Sequence, residues 1–217
     1  MIELGVPFSD PLADGPVIQA AGEQALRAGV TFEKVVDEVA RPLADRVPVV
    51  VMCYANPILA RGTEAVAARL AKAGIAGLIV PDLPIDEAAE LRQACDQAGI
   101  ALVPLVAPTT TAERIEQTAA AARGFIYVVS VTGVTGERSE LPPGLESVVD
   151  KVRKAASVPV AVGFGIATAE QVRQVGAIAD GVIIGSRIVR WIADASSLDE
   201  GIAEASGFLR AAADALE

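Results

Sequence analysis

The chain opens with MIELGVPFSDPLADGPVIQAA, residues 1–21, and the middle of that stretch decides the fold. An apolar run at 2–6 passes straight into a turn containing Pro7, Pro11 and Pro16 before a helical pattern begins. A dinucleotide-binding fold needs a G-x-G-x-x-G at this first strand-to-helix turn, so that bare backbone can approach a pyrophosphate. Residues 5–15 offer no such pattern. If strands and helices alternate along the rest of the chain, a closed barrel is therefore preferred to an open doubly wound sheet.

They do alternate. Apolar, β-branched runs recur at 2–6, 47–54, 77–81, 100–106, 124–130, 158–163 and 181–184. Between them lie Ala-, Glu- and Arg-rich stretches of helical period, such as 62–73, 86–98 and 111–122. Asp86 with Glu90, and Thr111 before Glu113, mark helix starts, while Gly74 and Gly99 stand just past helix ends. The expected fold class is α/β: a (β/α)8 TIM barrel lacking its first strand and helix, with seven βα units forming one incomplete domain over 1–217. The absent strand would precede Met1, as if an internal Met had been taken as the start. The first and last strands are then expected to be edges carrying apolar residues, which favours aggregation.

Composition narrows the function. In 217 residues, 52% are hydrophobic but only 4% aromatic, so the interior must be built from Ala, Val, Ile and Leu, as suits buried parallel strands. A net charge of −10 argues against nucleic acid or an anionic membrane as partner, and no apolar run reaches the ~18 residues that span a bilayer. A cytoplasmic protein is expected. Cys53, in a predicted strand, and Cys95, in a predicted helix, read as core filler. The absence of histidine excludes Ser/His triads and His-ligated zinc, and no metal site is expected. Lys34, Lys72, Lys151 and Lys154 all fall in helical stretches, which disfavours a Schiff-base lysine at a strand end. Chemistry must rest on carboxylates, hydroxyls, tyrosine or backbone.

Barrel enzymes work at the C-terminal ends of their strands. The last two runs end in Gly163-Phe164-Gly165-Ile166 and in Gly185-Ser186, where backbone N–H groups at a helix start would hold a phosphate. Glu3 lies within the first strand; facing the barrel axis, it would have a raised pKa and serve as general acid/base, and otherwise it is a solvated residue near a chain end. Asp14 is either functional or the N-cap of the helix that Pro16 opens. Asp10 reads as a turn residue, and Asp82 as a strand-end carboxylate without an assigned role. Tyr127 lies in the run at 124–130, as a core aromatic or a site residue. The Gly- and Thr-rich segment at 131–140 fits either a closing lid or a surface loop.

These residues together carry a resemblance. The stretch from Glu3 to Gln19 resembles the signature of the tryptophan synthase alpha subunit family, and Met52-Cys53-Tyr54-Ala55-Asn56-Pro57, Val80-Pro81-Asp82-Leu83-Pro84, Gly133-Val134-Thr135-Gly136, Gly163-Phe164-Gly165-Ile166 and Gly185-Ser186 follow in order. The resemblance implies cleavage of indole-3-glycerol phosphate to indole and glyceraldehyde 3-phosphate, a retro-aldol step of tryptophan biosynthesis that needs no cofactor. It implies that Glu3 transfers the proton and Asp14 holds the indole N–H. Gly136, Gly165, Gly185 and Ser186 would cradle the phosphate, Tyr54 and Tyr127 would line the substrate, and Thr135 would meet Asp14 on closure. It also implies a beta-subunit partner in an alpha2beta2 tetramer, with pyridoxal phosphate in that partner only. A free-standing indole-releasing lyase and a non-catalytic remnant that keeps only partner or phosphate binding are the alternatives. Open edges and an open pocket both admit water, so poor stability and little activity are expected of the chain as it stands.

Overall fold

The computed structural model describes residues 1–130, 141–163 and 165–216. In chain order its elements are β1 Ile2–Gly5, α1 Pro16–Arg27, α2 Phe32–Lys34, a π-helical stretch Val35–Ala40 leading into α3 Arg41–Ala44, β2 Val49–Met52, α4 Ala55–Leu59, α5 Thr63–Lys72, β3 Gly77–Ile79, α6 Ala89–Ala98, β4 Ala101–Val103, β5 Leu105–Val106, α7 Ala112–Ala121, β6 Ile126–Val129, α8 Leu145–Ala155, β7 Val160–Gly163, α9 Ala169–Gly176, β8 Gly181–Val182, α10 Ser186–Asp194 and α11 Leu198–Asp214. The chain divides into two compact units: Met1–Ala13 with Gly22–Leu105 and Ala122–Gly124, and Asp14–Ala21 with Val106–Ala121 and Phe125–Glu217.

The first unit carries a parallel sheet in the order β1-β2-β3-β4. Leu4 pairs with Val51, and Val51 with Leu78, so one side chain per strand falls on the same face. Those residues pack with Val49, Cys53, Val36, Val66, Leu70 and Leu91 into a dry core under the helices. Leu70 and Leu78 are completely buried, and truncating either to Ala would cost about 2–5 kcal/mol. Along β2, Val49, Val50 and Val51 are all buried, which explains why this strand reads as an unbroken apolar run. β1 is half-exposed, because among the described residues it pairs with β2 alone.

The second sheet runs β5-β6-β7-β8, with Ile126, Val128, Val160 and Val162 buried beneath α8 and α9 residues such as Val149, Val152, Val172 and Val175. At its N-terminal edge Asp180 accepts the Val160 N–H at 2.9 Å and pairs with Arg153 at 3.3 Å. β8, like β1, ends its sheet.

The expected alternation holds, with three local corrections. The run at 100–106 is not one strand: Pro104 has no N–H to donate, so β4 pairs with β3 while β5 joins the other sheet. Asp86 does not cap a helix, because the Pro84 and Ile85 carbonyls accept the N–H groups of Glu87 and Ala88 and close a turn first, and α6 starts at Ala89. Cys53 lies one residue past β2 rather than in it, though it is buried, as is Cys95 in α6. Burial pushes the Cys53 thiol up to about 12 and that of Cys95 to about 11. Both are inert core residues, as the sequence suggested. The predicted helix ends at Gly74 and Gly99 are present, each glycine with positive φ, and Thr111 caps α7 by accepting the Arg114 N–H at 3.3 Å.

Candidate active site

Because Leu4 packs into the core under the helices, its neighbour Glu3 points to the opposite face of the sheet. Glu3 pairs in register with Val50, and Val50 with Gly77, so the three residues share that face with Met52 and Ile79. Its exposure is intermediate. Glu3 thus lies on the face of β1 turned away from the core that holds Leu4.

After β1 the chain enters the loop that bears Asp14. The loop is anchored to β2 at its start, where Val6 N–H donates to the Met52 carbonyl at 2.8 Å, and near its end, where Ala13 N–H donates to the Tyr54 hydroxyl at 3.0 Å. Tyr54 is 3% exposed, and its ring stacks on Phe8 with centroids 5.3 Å apart. Asp82, at the end of β3, accepts the Ala55 N–H at 2.8 Å and so satisfies the first donor of α4, for which Tyr54 as N-cap supplies no side-chain bond. That is the role the sequence did not assign. Asp10 sits in a turn, as expected, with Leu12 N–H bonded to its carbonyl at 3.0 Å.

Asp14 is not the cap of α1. The helix begins at Pro16, and the Gln19 N–H bonds to the Gly15 carbonyl at 2.9 Å, which puts Gly15 in the capping position and Asp14 one residue outside. The Asp14 carbonyl is held by the Gln19 side-chain amide at 2.8 Å.

In the second unit Tyr127 lies on β6, 3% exposed, in register with Ala161. Its ring leans along the sheet toward the last residue of β7: a Cβ built on Gly163 would come within 2.7 Å of Tyr127 Cε2. Gly165, just beyond, takes φ +88°, a conformation that favours glycine. The α9 N-terminus is already occupied. Thr168 and Gln171 form a capping box, and Gln171 Oε1 also accepts the Ala167 N–H at 2.8 Å. The α10 N-terminus differs. Gly185 precedes Ser186 with φ −121° and ψ −76°, and a Cβ there would meet nothing within 4 Å. Packing does not demand glycine at 185, whereas close approach of a ligand to the first N–H groups of α10 would. Thr135 and Gly136, with the whole segment at 131–140, lie outside the described residues.

Sequence reading missed Phe8, the Asp82 bond and the capping box of α9. Only the last left a local signal, Thr168-x-x-Gln171. Among the described residues no group of three His, Cys, Asp or Glu side chains could hold a metal ion, and no helix is long and apolar enough to cross a membrane.

Comparison with known proteins agrees with this arrangement over almost the whole chain. A family model described as tryptophan synthase alpha chain matches residues 1–215. The tryptophan synthase alpha chain of Synechococcus sp. (strain CC9902) is 50% identical, over 99% of this chain and 81% of that protein. That of Geobacter sulfurreducens is 50% identical over 88% of this chain and 72% of its own length. Among solved structures, Mycobacterium tuberculosis tryptophan synthase is 39% identical with a TM-score of 0.89, over 99% of this chain and 80% of the matched one. The alpha subunit from Legionella pneumophila is 33% identical with a TM-score of 0.88, over 99% and 80%. The likeness bears out the barrel fold class read from the strand–helix alternation.

Proposed function

The chain belongs to the tryptophan synthase alpha chain family, and we propose that Glu3 and Asp14 carry out in it the family's reaction, cleavage of indole-3-glycerol phosphate to indole and glyceraldehyde 3-phosphate. The observation that carries the assignment is the placement of Glu3 on the face of β1 opposite core-packed Leu4.

The reaction has three requirements. C3 of the indole must be protonated, the ring must tolerate positive charge while it is, and the hydroxyl on the adjacent glycerol carbon must lose a proton as the carbon–carbon bond breaks. Glu3, protonated at the outset, gives its proton to C3. Asp14 accepts the indole N–H and stabilises the cation with a charge-assisted hydrogen bond. Ionised Glu3 then takes the hydroxyl proton, the bonding electrons return to the ring, and indole and the aldehyde leave. The proton balance closes on Glu3, so two carboxylates suffice and the alpha reaction calls for no cofactor. Gly165, Gly185 and Ser186, with Gly136, hold the phosphate, and the uncommitted space at Gly185 beside the start of α10 supports this part of the reading. Tyr127 lines the glycerol, and Thr135, outside the described residues, is assigned to this site by the family resemblance alone.

The partner in this reading is a tryptophan synthase beta subunit, with pyridoxal phosphate there, in an alpha2beta2 tetramer set in the cytoplasm. The loop through Leu12, which is 80% exposed, and the segment at 54–58 would face it. Co-purification with a beta subunit tests the pairing.

Kinetics test the site. Glu3→Gln and Asp14→Asn are each expected to lower the turnover of indole release at least ~100-fold with the circular dichroism spectrum unchanged. Near-normal turnover in either variant would remove that residue from its role.

A further inference from the structure

We infer that Tyr54 and Asp82 are positioning residues that set Asp14 through the main chain. The inference rests on the role of Asp14 proposed above. Tyr54 is held between two pinned peptides: Cys53 N–H donates to the Ile79 carbonyl at 3.0 Å, and Ala55 N–H donates to Asp82 Oδ1 at 2.8 Å. Both anchors come from β3 or the turn directly after it, so the backbone at Tyr54 is fixed from a neighbouring strand. The ring is fixed as well, buried at 3% exposure and stacked on Phe8. From this seat the hydroxyl accepts the Ala13 N–H at 3.0 Å, the amide immediately before Asp14.

The consequence is mechanical. Residues 7–12 contain two prolines and no regular secondary structure, and this loop leads the chain to Asp14. The Val6 bond fixes its start, the Tyr54 bond its end, and the Gln19 amide holds the Asp14 carbonyl on the far side. Removing the Tyr54 hydroxyl leaves the Ala13 N–H without its acceptor and frees the peptide that aims the Asp14 side chain. Asp82 acts one step further back: without its acceptor oxygen α4 loses its first bond and Tyr54 loses one of its two backbone anchors. Tyr54 thus serves Asp14 even where it does not touch the substrate.

The test exploits what Asp14 is proposed to recognise. Dissociation constants are measured by calorimetry for two unreactive ligands, 3-(indol-3-yl)propyl phosphate and its N-methyl counterpart, which share ring and phosphate but differ in the ring N–H. The unsubstituted chain is expected to prefer the N–H ligand by at least ~10-fold, the value of a hydrogen bond to a charged group. Tyr54→Phe is expected to compress that preference to within ~3-fold, the N–H ligand losing more affinity than the N-methyl ligand. Asp82→Ala is expected to compress it in part, and Asp82→Asn, which keeps an acceptor oxygen, to retain it. An unchanged preference in Tyr54→Phe, or equal losses for both ligands, overturns the inference while leaving Asp14 in its role. No preference in the unsubstituted chain would remove Asp14 as the N–H acceptor, and the inference with it.

Discussion

Gly163 lacks a side chain because Tyr127 occupies the place where one would be. A Cβ at 163 would lie 2.7 Å from the ring, so Gly163→Ala must displace Tyr127 or the strand. We expect it to cost about 1–3 kcal/mol of stability, read as a lowered melting temperature, and to raise KM for the substrate that Tyr127 is proposed to line. A variant as stable as the parent would contradict the packing. Other residues show how far sequence alone reaches. Glu3 was legible as a carboxylate inside an apolar strand, and its face followed from the alternation with Leu4. Asp14 was not: the cap position and the residue just outside the helix differ by one step of register, and only the Gln19–Gly15 bond decides between them. Asp82 was illegible for another reason, since its partner, Ala55, is 27 residues away and contributes only a backbone N–H.

At the level of elements, β2, β6 and β7 were readable because almost every residue along them is buried, so each reads as an unbroken apolar run. The ends were less so, since residues such as 53–54 and 80–81 continue the apolar run after the chain has left the ladder. Pro104 was visible in the sequence, yet it sits in a run that is apolar on both sides of it, and only sheet pairing reveals the break. The π-helical stretch Val35–Ala40 has no sequence signal that separates it from an ordinary helix. Nearby, Arg61 ties the α4–α5 connection to α2. It pairs with Glu33 at 2.8 Å, bonds the Pro57 carbonyl at 3.0 Å and lies 5.2 Å from the Phe32 ring centroid. Hydrogen bonding from Arg61 holds the Glu33 carboxyl at about 2, below its usual 4.5. A depressed carboxylate pKa adds stability above the unfolded value and loses it as pH falls toward the folded one. The stability gap between the parent and Glu33→Gln is therefore expected to be open at neutral pH and to close between pH 4.5 and about 2. Both side chains are more than one-third exposed, so the gap is only a few tenths of a kcal/mol (~0.2–1). A gap that widens on acidification would contradict the pairing.

For the whole molecule, the chain spans 72–81% of the length of the two relatives compared above, and its contacts divide into two units. The reading of 1–217 as one domain remains a proposal with a direct check, because each unit carries its own reporter. Trp191, the single tryptophan, lies in the second unit, and the buried thiols Cys53 and Cys95 lie in the first. In a urea titration the tryptophan fluorescence and thiol reactivity are expected to change with one midpoint. Separate midpoints would mean two domains. The family assignment was legible because the motifs extend in order along the chain, whereas the bond from the Ala13 N–H to the Tyr54 hydroxyl joins residues 41 apart that no spacing rule links. The central claim, that these carboxylates cleave a carbon–carbon bond, is tested most directly by product balance. The purified chain, with a beta subunit supplied, is given indole-3-glycerol phosphate and both products are quantified. Indole and glyceraldehyde 3-phosphate are expected in equal amounts, with neither formed by Glu3→Gln above background. Indole formed without an equal amount of glyceraldehyde 3-phosphate, or equal yield from Glu3→Gln, would contradict the account.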